Sequence, residues 1–118
     1  MTWIETLLDD EDQREQAARE FTLRAMRRGS DPLNHWIVRM AHEERSVALS
    51  ELEGQVGVTR STLSERVNDL VQVGLLERNL EGDMVQPTVL SAGFLGVVDD
   101  VTERFAAKIV EGFDAEQG

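Results

Sequence analysis

The chain contains no cysteine, and nowhere in its 118 residues does a long apolar run occur. The absence of cysteine excludes disulfides, thiolate catalysis and cysteine-ligated zinc. A membrane-spanning helix needs roughly 18 or more consecutive apolar residues, and no basic segment followed by an apolar run marks a secretory leader. We therefore expect a cytoplasmic protein with no membrane partner. A chain of this length is expected to form a single domain, with a core large enough to fold without cross-links.

Positive charge is also scarce. The chain has 12 Lys and Arg against 23 Asp and Glu, a formal net charge of -11, and its single lysine is Lys108. The acidic residues are spread along the whole length instead of forming a tail. An acidic, lysine-poor surface is typical of proteins from a salt-loaded cytoplasm, although an acidic mesophilic protein fits as well. The composition favours a halophilic source.

Capping residues and hydrophobic spacing predict two helices in the first part of the chain. Asp10 is expected to cap a helix that continues to Arg28 and ends at Gly29. Asp31 then caps a second helix, with Pro32 as its first residue. The core-facing stripe of this second helix follows the helical repeat and comprises Leu33, Trp36, Ile37, Met40 and Ala41.

The middle of the chain predicts a helix pair followed by a hairpin. Residues 47–49 are expected to be extended, and Ser50 with Glu53 forms a capping box for a short helix through Val56. Thr59 caps the next helix. Two strands over residues 75–80 and 84–90 flank a turn at residues 81–83. Ser91 caps a final helix, which is predicted to run to about Phe113.

The segment VALSELEGQVGVTRSTLSERVNDLVQVGLLER, residues 47–78, resembles the winged helix-turn-helix of the PadR, HxlR and MarR types of transcription regulator. The resemblance implies a mainly α fold with a small β-hairpin wing and N- and C-terminal dimerisation helices. The whole chain, 1–118, is then one domain. Residues 1–29 form an N-terminal helical extension, 31–90 the winged helix-turn-helix core and 91–113 the dimerisation helix. Together with the acidic composition, the resemblance points to a haloarchaeal regulator that responds to stress.

Such a protein binds double-stranded DNA sequence-specifically as a homodimer, with its recognition helix in the major groove. If Leu63, Val67 and Leu70 face the core, the opposite face of the helix at residues 60–72 points towards the groove. Arg78 and the amides near Thr59 suit phosphate contacts. The predicted DNA-binding residues are Thr59, Arg60, Ser61, Thr62, Ser64, Glu65, Arg66, Asn68 and Arg78.

The charge of this segment is balanced although that of the chain is not. Between residues 55 and 78, three arginines (Arg60, Arg66 and Arg78) face three acids (Glu65, Asp69 and Glu77), so the segment sums to zero. In multi-molar salt the Debye length falls below about 3 Å, and long-range repulsion from DNA largely disappears. We expect no cofactor apart from cations that could bind between carboxylates such as Glu65 and the DNA phosphates.

The last predicted helix carries an apolar stripe too long for one small domain to cover. Its members, predicted to form the dimer interface, are Phe94, Val98, Val101, Phe105 and Ile109. A protein-interaction adaptor that binds no DNA is the alternative function. Neither a nucleophile elbow, nor a phosphate-binding glycine loop, nor a metal-ligand cluster is present, so an enzyme is not expected. His35 and His42 share a helix face but are interpreted as structural, and Met84 as a packing residue.

Overall fold

The computed structural model describes residues 11–117, and the described chain begins with two helices that meet at a short junction. Helix α1 spans Glu11–Gly29 and helix α2 spans Pro32–Glu44. Gly29 ends α1 as predicted, and it has a tertiary reason to be glycine, because a Cβ at this position would overlap the ring of Phe94. The predicted cap Asp10 lies outside the described residues.

The start of α2 confirms the predicted cap. The Asp31 carboxylate accepts hydrogen bonds from the backbone amides of Leu33 at 3.0 Å and Asn34 at 3.2 Å, and Pro32 opens the helix. Proline is tolerated there because the first-turn amides have no partner within the helix.

The buried face of α2 differs in part from the predicted stripe. Ile37 and Ala41 are buried as predicted, whereas Leu33, Trp36 and Met40 are only partly buried and pack around the core. Their places are taken by Asn34 and Val38. The prediction missed Asn34 because it assigned only apolar residues to the buried face of the helix. Its burial depends on hydrogen bonds that the helix pattern does not show.

The helix pair follows a short strand. Strand β1 is Val47–Ala48, helix α3 is Leu49–Val56 and helix α4 is Arg60–Gln72. The predicted Ser50–Glu53 capping box is wrong, because α3 begins at Leu49 with Ala48 as its N-cap and no side chain caps it. The amide of Leu49 instead donates to the carbonyl of Asp83 at 2.9 Å, so the hairpin satisfies part of the helix start.

The hairpin forms where it was predicted, with shorter strands. Strand β2 is Leu76–Arg78 and strand β3 is Met84–Pro87, and β1 adds to them in the antiparallel order β1-β3-β2. Val85 pairs with both Val47 and Arg78. Residues 88–90 do not continue β3, because the Thr88 hydroxyl donates to the Gly74 carbonyl at 2.7 Å and turns the chain into the last helix.

The last helix, α5, spans Ser91–Gln117 and is longer than predicted, at roughly 40 Å. Ser91 was predicted to cap it, and that prediction is wrong. The Ser91 side chain is fully buried, and its hydroxyl donates to the Leu75 carbonyl at 2.8 Å and accepts from the Thr88 amide. Ser91 therefore anchors the start of the helix to the end of the sheet.

The core lies between α2, α3, α4 and the sheet, and it reaches only the first turn of α5 through Phe94 and Leu95. An ion pair from Arg39 of α2 to Asp99 of α5, 2.7 Å long, fixes the next turn. The predicted fold class, mainly helical with a small antiparallel sheet, is confirmed. Within residues 11–117, no helix is long and apolar enough to cross a membrane.

Candidate nucleic-acid interface

Helix α4 separates an apolar face from a polar one as the sequence predicts. Leu63, Val67 and Leu70 are fully buried. The opposite side is exposed along the length of the helix and carries only polar side chains: Ser61, Glu65, Asn68 and Gln72. The helix therefore offers an exposed polar surface.

The start of α4 is capped by Thr59, as predicted. The Thr59 hydroxyl accepts from the Thr62 amide at 3.2 Å and donates to the Thr62 hydroxyl at 3.0 Å. The first amides of an α-helix have no acceptor within the helix itself. Free amides at a helix N-terminus favour an anionic group such as phosphate.

Arg60 leans back towards α3. Its Nε donates to Glu53 at 2.9 Å, and both side chains stay substantially exposed. An exposed ion pair of this kind contributes about 0–1 kcal/mol, so a phosphate could displace Glu53 at little cost. The position of Arg60 at the helix entrance is the one the sequence predicted.

Arg66 turns away from the exposed face, towards the junction of α1 and α2. Its Nη1 contacts the Asp31 carboxylate at 2.8 Å and donates to the Asn34 side-chain oxygen at 3.3 Å. Asn34, only 3% exposed, donates in turn to the Arg28 carbonyl at 2.8 Å. Arg66 is therefore bonded to the capping region of α2, and α4 is tied through it to the end of α1.

Charge at this junction is compensated. The amide of Asn34, with a smaller effect of Arg66, lowers the pKa of the Asp31 carboxyl below its ordinary value of 3.8. Arg28 approaches Asp69 of α4 at 4.0 Å, which makes a second link between α1 and α4. The sequence did not reveal this network, because its members lie on three different helices.

Arg78, at the base of the hairpin, joins the wing to α4. Its Nη1 donates to the Ser64 hydroxyl at 3.1 Å and to the Asn68 side-chain oxygen at 2.6 Å. Its Nε donates to the carbonyl of Gly82 at 3.0 Å, and its Nη2 donates to the same carbonyl. The structure thus brings together Ser64, Asn68 and Arg78, three of the predicted DNA-binding residues.

The tip of the wing is acidic and carries an exposed apolar side chain. Asn79 donates to the Asp83 carboxylate at 2.9 Å and accepts from the Met84 amide at 3.1 Å, so the turn is held from inside. Leu80 is fully exposed, and Glu81 and Asp83 are exposed beside it. No basic side chain lies at the tip itself, within residues 79–83.

Helix α5 exposes most of its predicted stripe. Val101, Phe105 and Ile109 are 51%, 65% and 44% exposed, whereas Val98 is half-buried against the core. Phe94 is a correction, because its ring lies in the core of its own chain over Gly29 and is not available to a partner. The exposed surface also includes side chains that the prediction omitted: Val97, Val110 and Phe113.

The apolar surface continues beside the start of α5. A groove of about 280 Å³ opens between α1 and α5, and it is lined almost wholly by apolar side chains, among them Phe21, Met26, Leu90 and Val97. No sequence pattern indicated it, because Phe21 and Val97 are far apart along the chain. Val97 belongs both to the lining of this groove and to the exposed apolar side chains of α5.

Metal-ligating residues do not cluster in the described structure. Among residues 11–117, no group of three His, Asp or Glu side chains is arranged to hold a metal ion. His35 and His42 lie on α2, each partly buried, and His35 Nε2 is buried without a hydrogen-bond partner. Met84 opens β3 and pairs with Ala48, which agrees with a packing role.

Comparison with known proteins supports the fold. No protein-family profile matches the chain. Over 75 residues it is 31% identical to a Halobacterium salinarum protein described as an arsenical resistance operon repressor, ArsR2. That alignment covers 62% of this chain and 63% of the relative, so the chain matches less than two thirds of the relative's length.

Two solved structures share the architecture. The transcriptional repressor BigR from Xylella fastidiosa has a TM-score of 0.58 at 24% identity, over 81% of this chain and 96% of BigR. A protein described as a transcriptional regulator for arsenical resistance has a TM-score of 0.55 at 14% identity, over 71% of this chain and 94% of that one. The winged-helix level of the predicted resemblance is thereby confirmed. The PadR, HxlR and MarR types remain a prediction.

Proposed function

We propose that this chain is a DNA-binding transcription regulator that acts as a homodimer in the cytoplasm. The observation that carries the proposal is the exposed face of α4, formed by Ser61, Glu65, Asn68 and Gln72, which lies beside the wing on a helix fixed to the core. A helix with one exposed polar face fits the major groove, where its side chains can reach the base edges.

Each predicted contact has a chemical counterpart in DNA. The first-turn amides of α4 and the guanidinium of Arg60 suit a phosphate, and the hydroxyls of Thr62 and Ser64 can bond either phosphate or base. Glu65 can accept from the amino group of cytosine, and the Asn68 amide can bond a purine edge. Arg66 and Arg78 are bonded to other parts of the protein, so we assign them to the support of this surface.

The relative from Halobacterium salinarum supports repression as the mode of regulation, since it is described as an operon repressor. The link to arsenical resistance in that description does not transfer directly to this chain. Soft metals and metalloids bind best to thiolate ligands, and this chain has no cysteine. We therefore propose a related type of regulator whose inducing signal is not read through thiolates.

The exposed stripe of α5, with α1 beside it, is the proposed dimer interface. A two-fold axis through this surface makes the interface self-complementary. It would place the two recognition helices about 34 Å apart, one turn of DNA, on a roughly palindromic operator.

The acidic composition supports binding adapted to high salt. With ordinary counterion release, affinity falls steeply as salt rises. Here we propose that cations held between DNA phosphates and exposed carboxylates such as Glu65 offset part of that loss. This proposal and the halophilic source rest on the composition, and both are tested by the dependence of binding on salt.

The test is fluorescence anisotropy with pooled genomic DNA fragments in KCl stepped from dilute to multi-molar. The proposal expects selective retention of a few fragments, with an affinity that falls little between dilute and concentrated salt. Asn68→Ala should lose that selectivity, whereas Arg45→Gln, an exposed change at the end of α2, should keep it. No selective binding at any salt would refute DNA regulation and favour a protein-interaction adaptor. Selective binding with an ordinary steep slope would refute only the cation hypothesis.

A further inference from the structure

We propose that Arg78 is a positioning residue that locks the wing to the recognition helix and presents Ser64 and Asn68 to the operator, so that sequence selectivity depends on it. The inference rests on the proposed DNA-binding function and concerns the same surface. It gives Arg78 a different role from the phosphate contact that the sequence predicts.

The geometry of the guanidinium carries the proposal. The guanidinium donates hydrogen bonds to two different elements. Nη1 donates to Ser64 and Asn68 on α4, while Nε and Nη2 donate to the carbonyl of Gly82 in the wing turn. These bonds use every N–H of the group except one on Nη2. A side chain so fully engaged within the protein has little capacity left for a phosphate.

The wing turn is shaped to offer that carbonyl. Gly82 has a φ of +79°, a conformation that glycine adopts readily, and a Cβ here would lie 3.4 Å from Arg78 Nη2. The turn is also closed independently of Arg78, because the Gly82 amide donates to the Asn79 carbonyl at 2.9 Å. Loss of Arg78 should therefore release the wing from α4 without opening the hairpin.

The contact on Asn68 has a consequence for base recognition. Its side-chain oxygen is bonded to Arg78 at 2.6 Å, so the orientation of the amide is set, and its NH₂ group is the part left to donate to DNA. Without Arg78 the amide could rotate and exchange donor for acceptor. Arg78 thus selects which hydrogen-bonding pattern Asn68 presents, without touching a base.

The experiment is binding-site selection from a library of random-sequence duplexes, followed by measured affinities for the recovered site and a scrambled duplex. For Arg78→Ala we expect selectivity between the two to fall by about tenfold or more, the discrimination that one good base contact provides. Arg78→Lys should behave like Arg78→Ala, because one ammonium group cannot bridge the helix and the wing. Arg45→Gln, which removes the same charge from an exposed side chain at the end of α2, should retain wild-type selectivity.

Two further readouts distinguish positioning from a phosphate contact. Loss of a phosphate contact weakens all duplexes alike and reduces the salt slope by about one per contact, whereas positioning leaves the slope unchanged. In a double-mutant cycle, Arg78→Ala should remove less selectivity from the Asn68→Ala variant than from the wild type, because part of its effect passes through Asn68. Thermal unfolding of each variant verifies the fold, and Arg78→Lys replaces Arg78→Ala in the cycle if the alanine variant does not fold.

The outcomes separate the two levels of the hypothesis. Wild-type protein that recovers no site overturns the proposed function and this inference with it. Three other results would overturn the inference alone. The first is selectivity for the recovered site that survives in the Arg78 variants, and the second is additive losses in the cycle. The third is a reduced salt slope with selectivity retained.

Discussion

Phe105 provides the sharpest test of the proposed dimer. Its side chain lies on α5 beyond the end of the core and is 65% exposed in the single chain. A phenylalanine buries roughly 200 Å² when fully covered, so a partner could cover about 130 Å² more. At about 25 cal/mol per Å² this amounts to about 3 kcal/mol per copy and about 6 kcal/mol for the two copies of a symmetric dimer.

Replacing Phe105 by serine should therefore raise the dimer dissociation constant by at least a hundredfold. We expect less than the full area value, because a remodelled interface recovers part of the lost burial. Serine adds no charge to a chain that already carries -11, so the effect is not confounded by extra repulsion. The unfolding midpoint of the monomer should change little, because the side chain lies beyond the core and is already 65% exposed in the single chain.

Sedimentation equilibrium over a range of protein concentrations measures the constant directly. Leu80→Ser is the matched control, since Leu80 is equally apolar and fully exposed but lies at the wing tip, away from α5. A Phe105→Ser protein that dimerises like the wild type would place the interface elsewhere. A wild-type chain that is monomeric at every concentration would refute the dimer itself.

Three smaller predictions concern the described contacts. Gly29→Ala should lower the free energy of unfolding by about 1–3 kcal/mol, because the new methyl group meets the Phe94 ring, and the additional change Phe94→Leu should restore part of it in chemical denaturation. Asp31→Asn should destabilise the protein above about pH 4. The pKa of Asp31 in the folded state lies below 3.8, so the stability that the ionised carboxylate contributes is fully present above about pH 4. This stability is lost as pH falls through the folded-state pKa, and the melting temperatures of the two proteins should converge there. Thr59→Ala should cost about 1 kcal/mol in the same melts by removing the cap on the Thr62 amide, and equal stability would mean that the cap contributes nothing.

The features that depend on local spacing could be predicted from the sequence. The buried and exposed faces of α4 follow from the positions of Leu63, Val67 and Leu70, because a helix repeats every 3.6 residues whatever it packs against. The caps at Asp31 and Thr59 are local for the same reason, since each side chain bonds amides only two or three residues away.

The features that depend on tertiary contacts could not be predicted. Ser50 and Ser91 fit the capping pattern as well as Thr59 does, but the sheet determines where those two helices begin. Phe94 and Phe105 both follow the spacing of the apolar stripe on α5, yet only Phe94 lies in the core. Its ring packs over Gly29, where there is no side chain in the way. Arg66 and Arg78 are long enough to reach either DNA or a neighbouring helix, and their sequence positions do not distinguish the two.

These arginine contacts also bear on how so acidic a chain could bind a polyanion. The three arginines of the helix-turn-helix and wing all bond to protein groups: Arg60 to Glu53, Arg66 to Asp31, and Arg78 to Ser64, Asn68 and Gly82. They stabilise the positions of α4 and the wing more than they supply free positive charge. Recognition of the bases then falls to the hydroxyls, the side-chain amides and the Glu65 carboxylate of this surface, and the phosphate contacts are left to Arg60 and the first amides of α4. The neutral contacts of this surface add little to the dependence of affinity on salt, and the bound cations proposed above would reduce that dependence further. Its selectivity depends on how firmly those arginines hold it in place.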